Sequence, residues 1–325
     1  MTALVTGAAG HVGNNVVRAL LARGHAVRVL VHRTSASLTG LDVDKRPGDI
    51  LDRASLDDAV AGVDAAYHCA ALVSIVPADG PRMLRTNVLG TRNVVDACLA
   101  HGVGRLVHVS SVHALAPPRS NGVTDESCGP NVEPAAPAYD RSKTAAEDEV
   151  RAGIGRGLGA VIVNPTGVIG PHDYVPRLTG RALISMYRGR LPMTLAGGFN
   201  WVDARDVAEG ALAASTRGLS GANYLLSGHW ASLTDLAALM QACTGHRGPR
   251  LVAPLWLARM SVPLFAVFAK LTGSEPLYTA PSLRALNEHR VCSSAKAAAE
   301  LGFTPRPLAT TIADTFAFYA EARLL

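Results

Sequence analysis

The chain of 325 residues holds 31 Lys and Arg against 26 Asp and Glu, a net charge of +5 with a pI near 9.1. No basic tract or aromatic-basic interleaving accompanies that excess, so nucleic acid is not an expected partner. Cys69, Cys98, Cys128, Cys243 and Cys292 show no CxxC or zinc spacing, and an apolar run begins almost at Met1; a reduced, cytoplasmic protein with no metal and no leader is expected.

Ala3-Leu4-Val5 suits a buried parallel strand, and the apolar stripe Val12, Val16, Val17, Leu20, Leu21 predicts a helix ended by Gly24. Thr6-Gly7-Ala8-Ala9-Gly10-His11-Val12-Gly13 therefore lies on a strand-to-helix turn. In that context Gly7 permits the turn, Gly10 admits a pyrophosphate to the backbone amides, and Gly13 lets helix and strand pack closely. A second strand over Ala26 to Val31 completes a βαβ unit, so a dinucleotide site is expected, the alternative being a turn that only packs.

The end of the second strand bears on the cofactor. It reads Val31-His32-Arg33-Thr34-Ser35, without the carboxylate that binds a ribose 2′-hydroxyl, while Arg33 and Ser35 offer donors to a 2′-phosphate. NADP(H) is favoured over NAD(H), the alternative being that Arg33 is a solvated loop cation. Asp49, after a further strand, is read either as an acceptor for the adenine amino group or as a turn cap.

Farther along, Arg105-Leu106-Val107-His108-Val109-Ser110-Ser111 is an apolar strand ending in two hydroxyls, where open α/β sheets place ligands. The Pro- and Gly-rich stretch 115–137 reads as a long loop of the kind that often serves as a lid. Tyr139 and Lys143, spaced i, i+4, share one helix face, and an ammonium beside a phenol lowers the phenol pKa. With Ser111 to hold a substrate oxygen, the three groups suit hydride chemistry; the alternatives are an ordinary helix face and a capped strand end. His113 is read as a residue of the substrate entrance or as a surface histidine.

The substrate lobe is the least legible part. Leu251 to Leu271 is apolar, with Trp256, Phe265 and Phe268, but Pro254, Arg259, Pro263 and Lys270 interrupt it, which argues against a membrane span. It is read as a lid packed on the core, or as the wall of an apolar pocket shared with Tyr174, Met186 and Tyr187.

Five motifs in order carry a resemblance to the extended short-chain dehydrogenase/reductase family: Thr6 to Gly13, His68-Cys69-Ala70-Ala71, Asn87-Val88-Leu89-Gly90-Thr91, Tyr139 to Lys143, and Asn164-Pro165-Thr166-Gly167-Val168. The Ser-Ser strand end, the helix Tyr-Asp-Arg-Ser-Lys-Thr-Ala-Ala-Glu and the tail from Ser294 are most similar to the dihydroflavonol-4-reductase-like branch. The resemblance implies an α/β fold, a Rossmann doubly wound parallel sheet over 1–165 with a return excursion at about 198–226, and a smaller lobe from 166–197 and 227–325. It implies Tyr139 as proton donor or acceptor, Lys143 on the nicotinamide ribose, Ser111 (with Ser110 as the alternative) on the substrate oxygen, and Asn87 in a proton relay. It extends the cofactor contacts to Gly7, Gly10, His11, Val12, Gly13, His32, Arg33, Asp49, Ile50, Ala70, Ala71, Pro165 and Val168. Where the branch commonly has arginine this chain has His32, with Arg33 displaced by one residue.

Val112-His113 follow Ser111 where sugar dehydratases carry Asp-Glu, and Gly198-Phe199-Asn200-Trp201 lacks the arginine that holds a nucleotide diphosphate. The expected activity is thus NADP(H)-dependent reduction of a fairly apolar ketone, or oxidation of the alcohol, by a monomer or homodimer that does not insert stably in membranes. A sugar-nucleotide epimerase with retained NAD and a non-catalytic NADP-sensing protein are the alternatives.

Overall fold

The structure is a computed structural model that describes residues 1–32, 36–118, 122–272 and 278–325, with 266–272 described by backbone alone. Seven parallel strands form the main sheet in the order Asn223–Leu226, Ala160–Pro165, Arg105–Val109, Ala65–His68, Thr2–Thr6, Ala26–Val31, Asp44–Pro47. The chain lays down three strands in one direction from Thr2–Thr6 and then crosses to the other side at Ala65–His68. A crevice opens at such a reversal, at the carboxyl ends of the strands.

Strand residues are buried on both faces, because helices cover both. Ala3 and Val5 pack toward helices His11–Ala22 and Ala204–Arg217, whereas Leu4 packs toward Arg53–Val60 and Gly90–Ala100. Each fully buried Val or Leu contributes roughly 1.5–3 kcal/mol, so a one-residue slip in this strand would be costly. Helix His11–Ala22 follows the expected stripe and ends as anticipated before Gly24, at φ +73°.

The smaller lobe has a three-stranded sheet, His229–Ser232, Gly198–Asp203 and Gly167–Ile169. Its core joins Leu183, Met186, Trp201, Leu236, Met240, Ile312 and Phe316 from that sheet and from helices Leu178–Tyr187, Leu233–Thr244 and Leu308–Glu321. Helix Leu255–Thr272 is docked through Leu255, Ala258 and Val262 onto Leu283 and Leu286 of helix Ala280–Glu288. Among the described residues, no helix is long and apolar enough to cross a membrane.

The apolar stretch is divided between two environments. Phe265 packs on Tyr278, ring centroids 5.0 Å apart, whereas Trp256, Leu257, Met260 and Leu264 face outward. Trp256 is therefore not a pocket wall, and the Phe268 side chain lies outside the described residues. Met186 is core and lines a small apolar cavity of about 150 Å³, and Tyr187 stacks on Phe316. The 115–137 stretch is tied down locally by a Leu115–Pro130 bridge and by strand Val123–Thr124 paired to Val291–Cys292.

Candidate active site

The glycine turn is built on close backbone approach. Gly7 takes φ +69°, and a Cβ there would meet the Ala70 amide nitrogen at 2.6 Å. A Cβ on Gly13 would meet the Gly7 carbonyl oxygen at 2.2 Å, so helix and strand are as close as two backbones allow. A Cβ on Gly10 would touch only that carbonyl, at 3.2 Å, and otherwise project into space at the start of helix His11–Ala22. A helix N-terminus with its amides uncovered attracts a phosphate, so these residues fit the pyrophosphate of a dinucleotide.

The same turn opens into a cleft of about 630 Å³ at the sheet reversal. Gly7, Gly10, His11, Val12, Gly13, Ala71, Ser111, His113, Tyr139, Lys143, Pro165 and Val168 all line it. The other expected cofactor contacts are arranged differently. Ala70 abuts Gly7 and donates its amide to Thr6 Oγ1 at 3.3 Å. Ile50 is buried against Gly90, where a Cβ would lie 2.5 Å from Ile50 Cδ1, which explains the glycine in Asn87-Val88-Leu89-Gly90-Thr91. His32 Nε2 pairs with Asp49 Oδ2 at 3.1 Å, and Asp49 Oδ1 accepts from the Leu51 amide. Asp49 is thus both turn cap and partner of the His32 ring; Arg33 and Ser35 lie outside the described residues. His11 Nε2 is 3.1 Å from the carbonyls of both Gly170 and Pro171, tying the glycine turn to the lobe.

Tyr139 and Lys143 project from helix Ala138–Gly155 toward the end of strand Arg105–Val109. The Tyr139 phenol is pushed up to about 12 by burial; the Ser111 hydroxyl opposes that rise and the Asp140 carboxylate adds to it. Burial also lowers Lys143 to about 8, against the raising effect of Glu147, and its Nζ donates to the Val109 carbonyl at 3.0 Å. The opposition to the phenol's rise thus comes from the Ser111 hydroxyl rather than, as expected, from the lysine. The ammonium is held by a strand-end carbonyl, and a desolvated phenolate costs more than it returns.

Asn87 is fully engaged in the scaffold. It accepts from the Leu72 amide at 2.7 Å and donates to the Leu72 carbonyl and to Ser142 Oγ at 3.0 and 2.9 Å. It fastens the loop after strand Ala65–His68 to the tyrosine helix, with no contact to the phenol among these bonds. Tyr174 is absent from the cleft lining: its hydroxyl accepts from Arg18 at 2.9 Å and its ring meets Phe318 edge-on. Its neighbours Asp173 and Val175 line the cleft instead.

Several lining residues were not singled out in the sequence. His289, from the end of helix Ala280–Glu288, stands edge-on to His113 at 5.6 Å, and His113 edge-on to Tyr139 at 5.9 Å. Burial lowers His113, and burial followed by the neighbouring His113 imidazole lowers His289 to about 3, so both imidazoles are neutral near pH 7. Asp140, 3.7 Å from His113 Nδ1, is raised to about 7, first by burial and then by Glu288. Phe199, Trp201 and Ala285 supply apolar wall, and Arg177 a cation. Asp140 directly follows Tyr139, but no local pattern marks the others, because they lie 38 to 150 positions beyond Tyr139 and converge through the lobe's packing.

A doubly wound sheet, a glycine turn at its reversal and a Ser/Tyr/Lys group at the next strand end define an extended short-chain dehydrogenase/reductase. Residues 3–227 match the model of the NAD dependent epimerase/dehydratase family, and the chain belongs to that family. It is 37% identical over 333 aligned positions, covering all of both chains, to the sterol demethylase protein B of Methylococcus capsulatus. It is 34% identical to a Synechocystis sp. protein provisionally named dihydroflavonol 4-reductase, covering 95% of this chain and 92% of that one. The crystal structure of gox2253 superposes with a TM-score of 0.86 at 33% identity, covering 98% of each chain.

Proposed function

We propose that the protein is an NADP(H)-dependent carbonyl reductase, or secondary-alcohol dehydrogenase, acting on a fairly apolar substrate. The observation that carries this reading is the convergence of Ser111, Tyr139 and Lys143 with the glycine turn on one cleft, the phenol being raised to about 12 by burial and so protonated at neutral pH. When bound, the nicotinamide supplies or accepts the hydride. Ser111 holds the substrate oxygen, Tyr139 transfers a proton to it as hydride reaches the carbonyl carbon, and Lys143 binds the nicotinamide ribose. A phenol that keeps its proton is poised for reduction; running the reaction backward requires the phenolate, which a bound cofactor's positive nicotinamide would favour.

Phe199, Trp201 and Val175 in the substrate half support an apolar substrate, as do the names of two relatives, one a sterol protein and one a reductase. For the cofactor, the support is the lack of a carboxylate at the end of strand Ala26–Val31 and the engagement of Asp49 by His32. A panel of carbonyls and alcohols, read by NADPH absorbance, tests the reading. Turnover of apolar ketones is expected; NADPH bound without turnover of any panel member, or NAD that survives gel filtration together with epimerase activity, overturns it.

A further inference from the structure

Helix Leu255–Thr272 buries one face and leaves the other unpartnered within the described residues. Trp256, Met260 and Leu264 are 62%, 73% and 71% exposed and lie at i, i+4 and i+8, so they form one continuous stripe. Leu257 widens it, and the exposed Leu251 and Val252 lead into it from strand Leu251–Ala253. Large apolar side chains grouped in this way mark an interaction surface, unlike single exposed leucines.

Charge indicates what the surface fits. Between Asp235 and Glu275 the sequence holds Arg247, Arg250, Arg259 and Lys270 and no acidic residue. Arg259 is exposed on the helix itself, and Arg247 and Arg250 are exposed in the loop just before strand Leu251–Ala253. A second copy seated two-fold on this face would set these arginines against their equivalents, an unfavourable isologous contact. Apolar side chains including tryptophan, in a stretch of sequence that carries exposed arginines and no acidic residue, instead complement an anionic bilayer, where such a helix lies in the plane of the headgroups.

We propose that this face docks the protein peripherally on anionic lipid. Among the described residues no helix is long and apolar enough to cross a membrane, and this one turns its other face, through Ala258, onto Leu283 and Leu286. Helix Ala280–Glu288 and its end separate the docked face from the cleft, since Ala285 and His289 line that cleft while Leu283 and Leu286 face the docking helix. Docking therefore places the substrate half of the cleft one helix from the bilayer. The inference stands on the surface alone and is independent of the reaction.

The test is co-sedimentation of the full chain with vesicles of phosphatidylcholine, with and without phosphatidylglycerol, at low and high salt. Partition onto the anionic vesicles at least about ten-fold above neutral ones is expected, weakening with salt and accompanied by a blue shift of fluorescence that Trp256→Phe removes. Met260→Glu with Leu264→Glu, and separately Arg247→Ala with Arg250→Ala and Arg259→Ala, should each lower partition about ten-fold while NADPH binding persists. The arginine variant touches no packed residue, so it keeps the test valid if the glutamate variant misfolds. Absence of binding to anionic vesicles, or binding that the folded arginine variant retains, overturns the proposal. So does a parent dimer that the glutamate pair dissociates without any vesicle binding.

Discussion

Tyr139 and Ser111 line one cleft from different layers, the tyrosine on helix Ala138–Gly155 and the serine just past strand Arg105–Val109, and the serine hydroxyl opposes the rise that burial imposes on the phenol. Helix and strand are fastened together at this point by Lys143, which donates to Val109, and by Thr144 Oγ1, which donates to the Ala114 carbonyl at 3.3 Å. Burial keeps the phenol protonated near neutral pH. The protonation of the proposed donor is therefore set by packing as much as by residue type.

Tyr139→Phe removes the hydroxyl and little else. Turnover should fall by about 10²–10⁴ while NADPH affinity and thermal midpoint stay close to those of the parent. Near-parental turnover in this variant would remove the tyrosine from the chemistry.

Lys143 should report through pH. Its lowered value of about 8 means that the ammonium, the proposed cofactor ligand, is lost as pH rises through that region. NADPH affinity should weaken above about pH 8, and Lys143→Met should abolish that step while lowering turnover and affinity together. Isothermal titration of parent and variant across the range checks both; an unchanged pH step in the variant would assign it to another group.

Acid stability should be governed partly by two buried imidazoles. His68, bonded to Thr6 Oγ1 and Thr91 Oγ1 at 2.7 and 2.9 Å, is lowered by burial and then Lys143 to about 3. His108, ring centroid 5.3 Å away, is lowered well below its ordinary value by burial and then by His68, and its ring nitrogens have no partner among the described residues. In the unfolded chain both protonate near pH 6.5, so the unfolded state binds more protons below that pH. Stability is fully present above about pH 6.5 and declines as pH falls toward 3, by up to about 1.4 kcal/mol per unit per histidine. His108→Phe should flatten that slope in a series of thermal melts; an unaltered slope would place the acid sensitivity elsewhere.

Gly13→Ala inserts a Cβ 2.2 Å from the Gly7 carbonyl oxygen, a backbone atom that cannot swing aside. The expected cost is on the order of 1–3 kcal/mol of stability and a large loss of dinucleotide affinity, because relief requires the turn to open. Gly24→Ala provides the comparison. At φ +73° it carries backbone strain, but open space surrounds it, so cofactor affinity should persist.

On the cofactor's adenosine side, NADPH should bind more tightly than NADH, and Arg33→Ala should erode the preference by about 1.5–3 kcal/mol, the worth of one charge-assisted bond. Equal affinity of the parent for the two cofactors would sink the assignment. On the substrate side, Phe199→Ala should raise KM for bulky ketones more than for small ones, while Trp256→Ala should leave both unchanged, since Phe199 lines the cleft and Trp256 faces outward.

Local sequence was sufficient for whatever depends on neighbours along the chain. The strand-glycine-helix turn, the apolar strand ending at Ser110 and Ser111, and the shared helix face of Tyr139 and Lys143 follow from periodicity and from φ preferences, which act over a few residues. The class of sheet followed from the alternation of these units, since parallel strands need crossover helices.

Tertiary structure decided what depends on residues far apart. His113 meets His289 across 176 positions, and Tyr174 is claimed by Arg18 while Asp173 and Val175 line the cleft. Asn87, whose motif suggested a relay, is spent on Leu72 and Ser142 because a buried amide must satisfy its own donors and acceptor first. Trp256 and Phe265, alike in an apolar run, are separated by which side of one helix meets Leu283 and Tyr278. Periodicity alone does not choose between those sides when the helix is apolar all round; the choice is made by what packs against it.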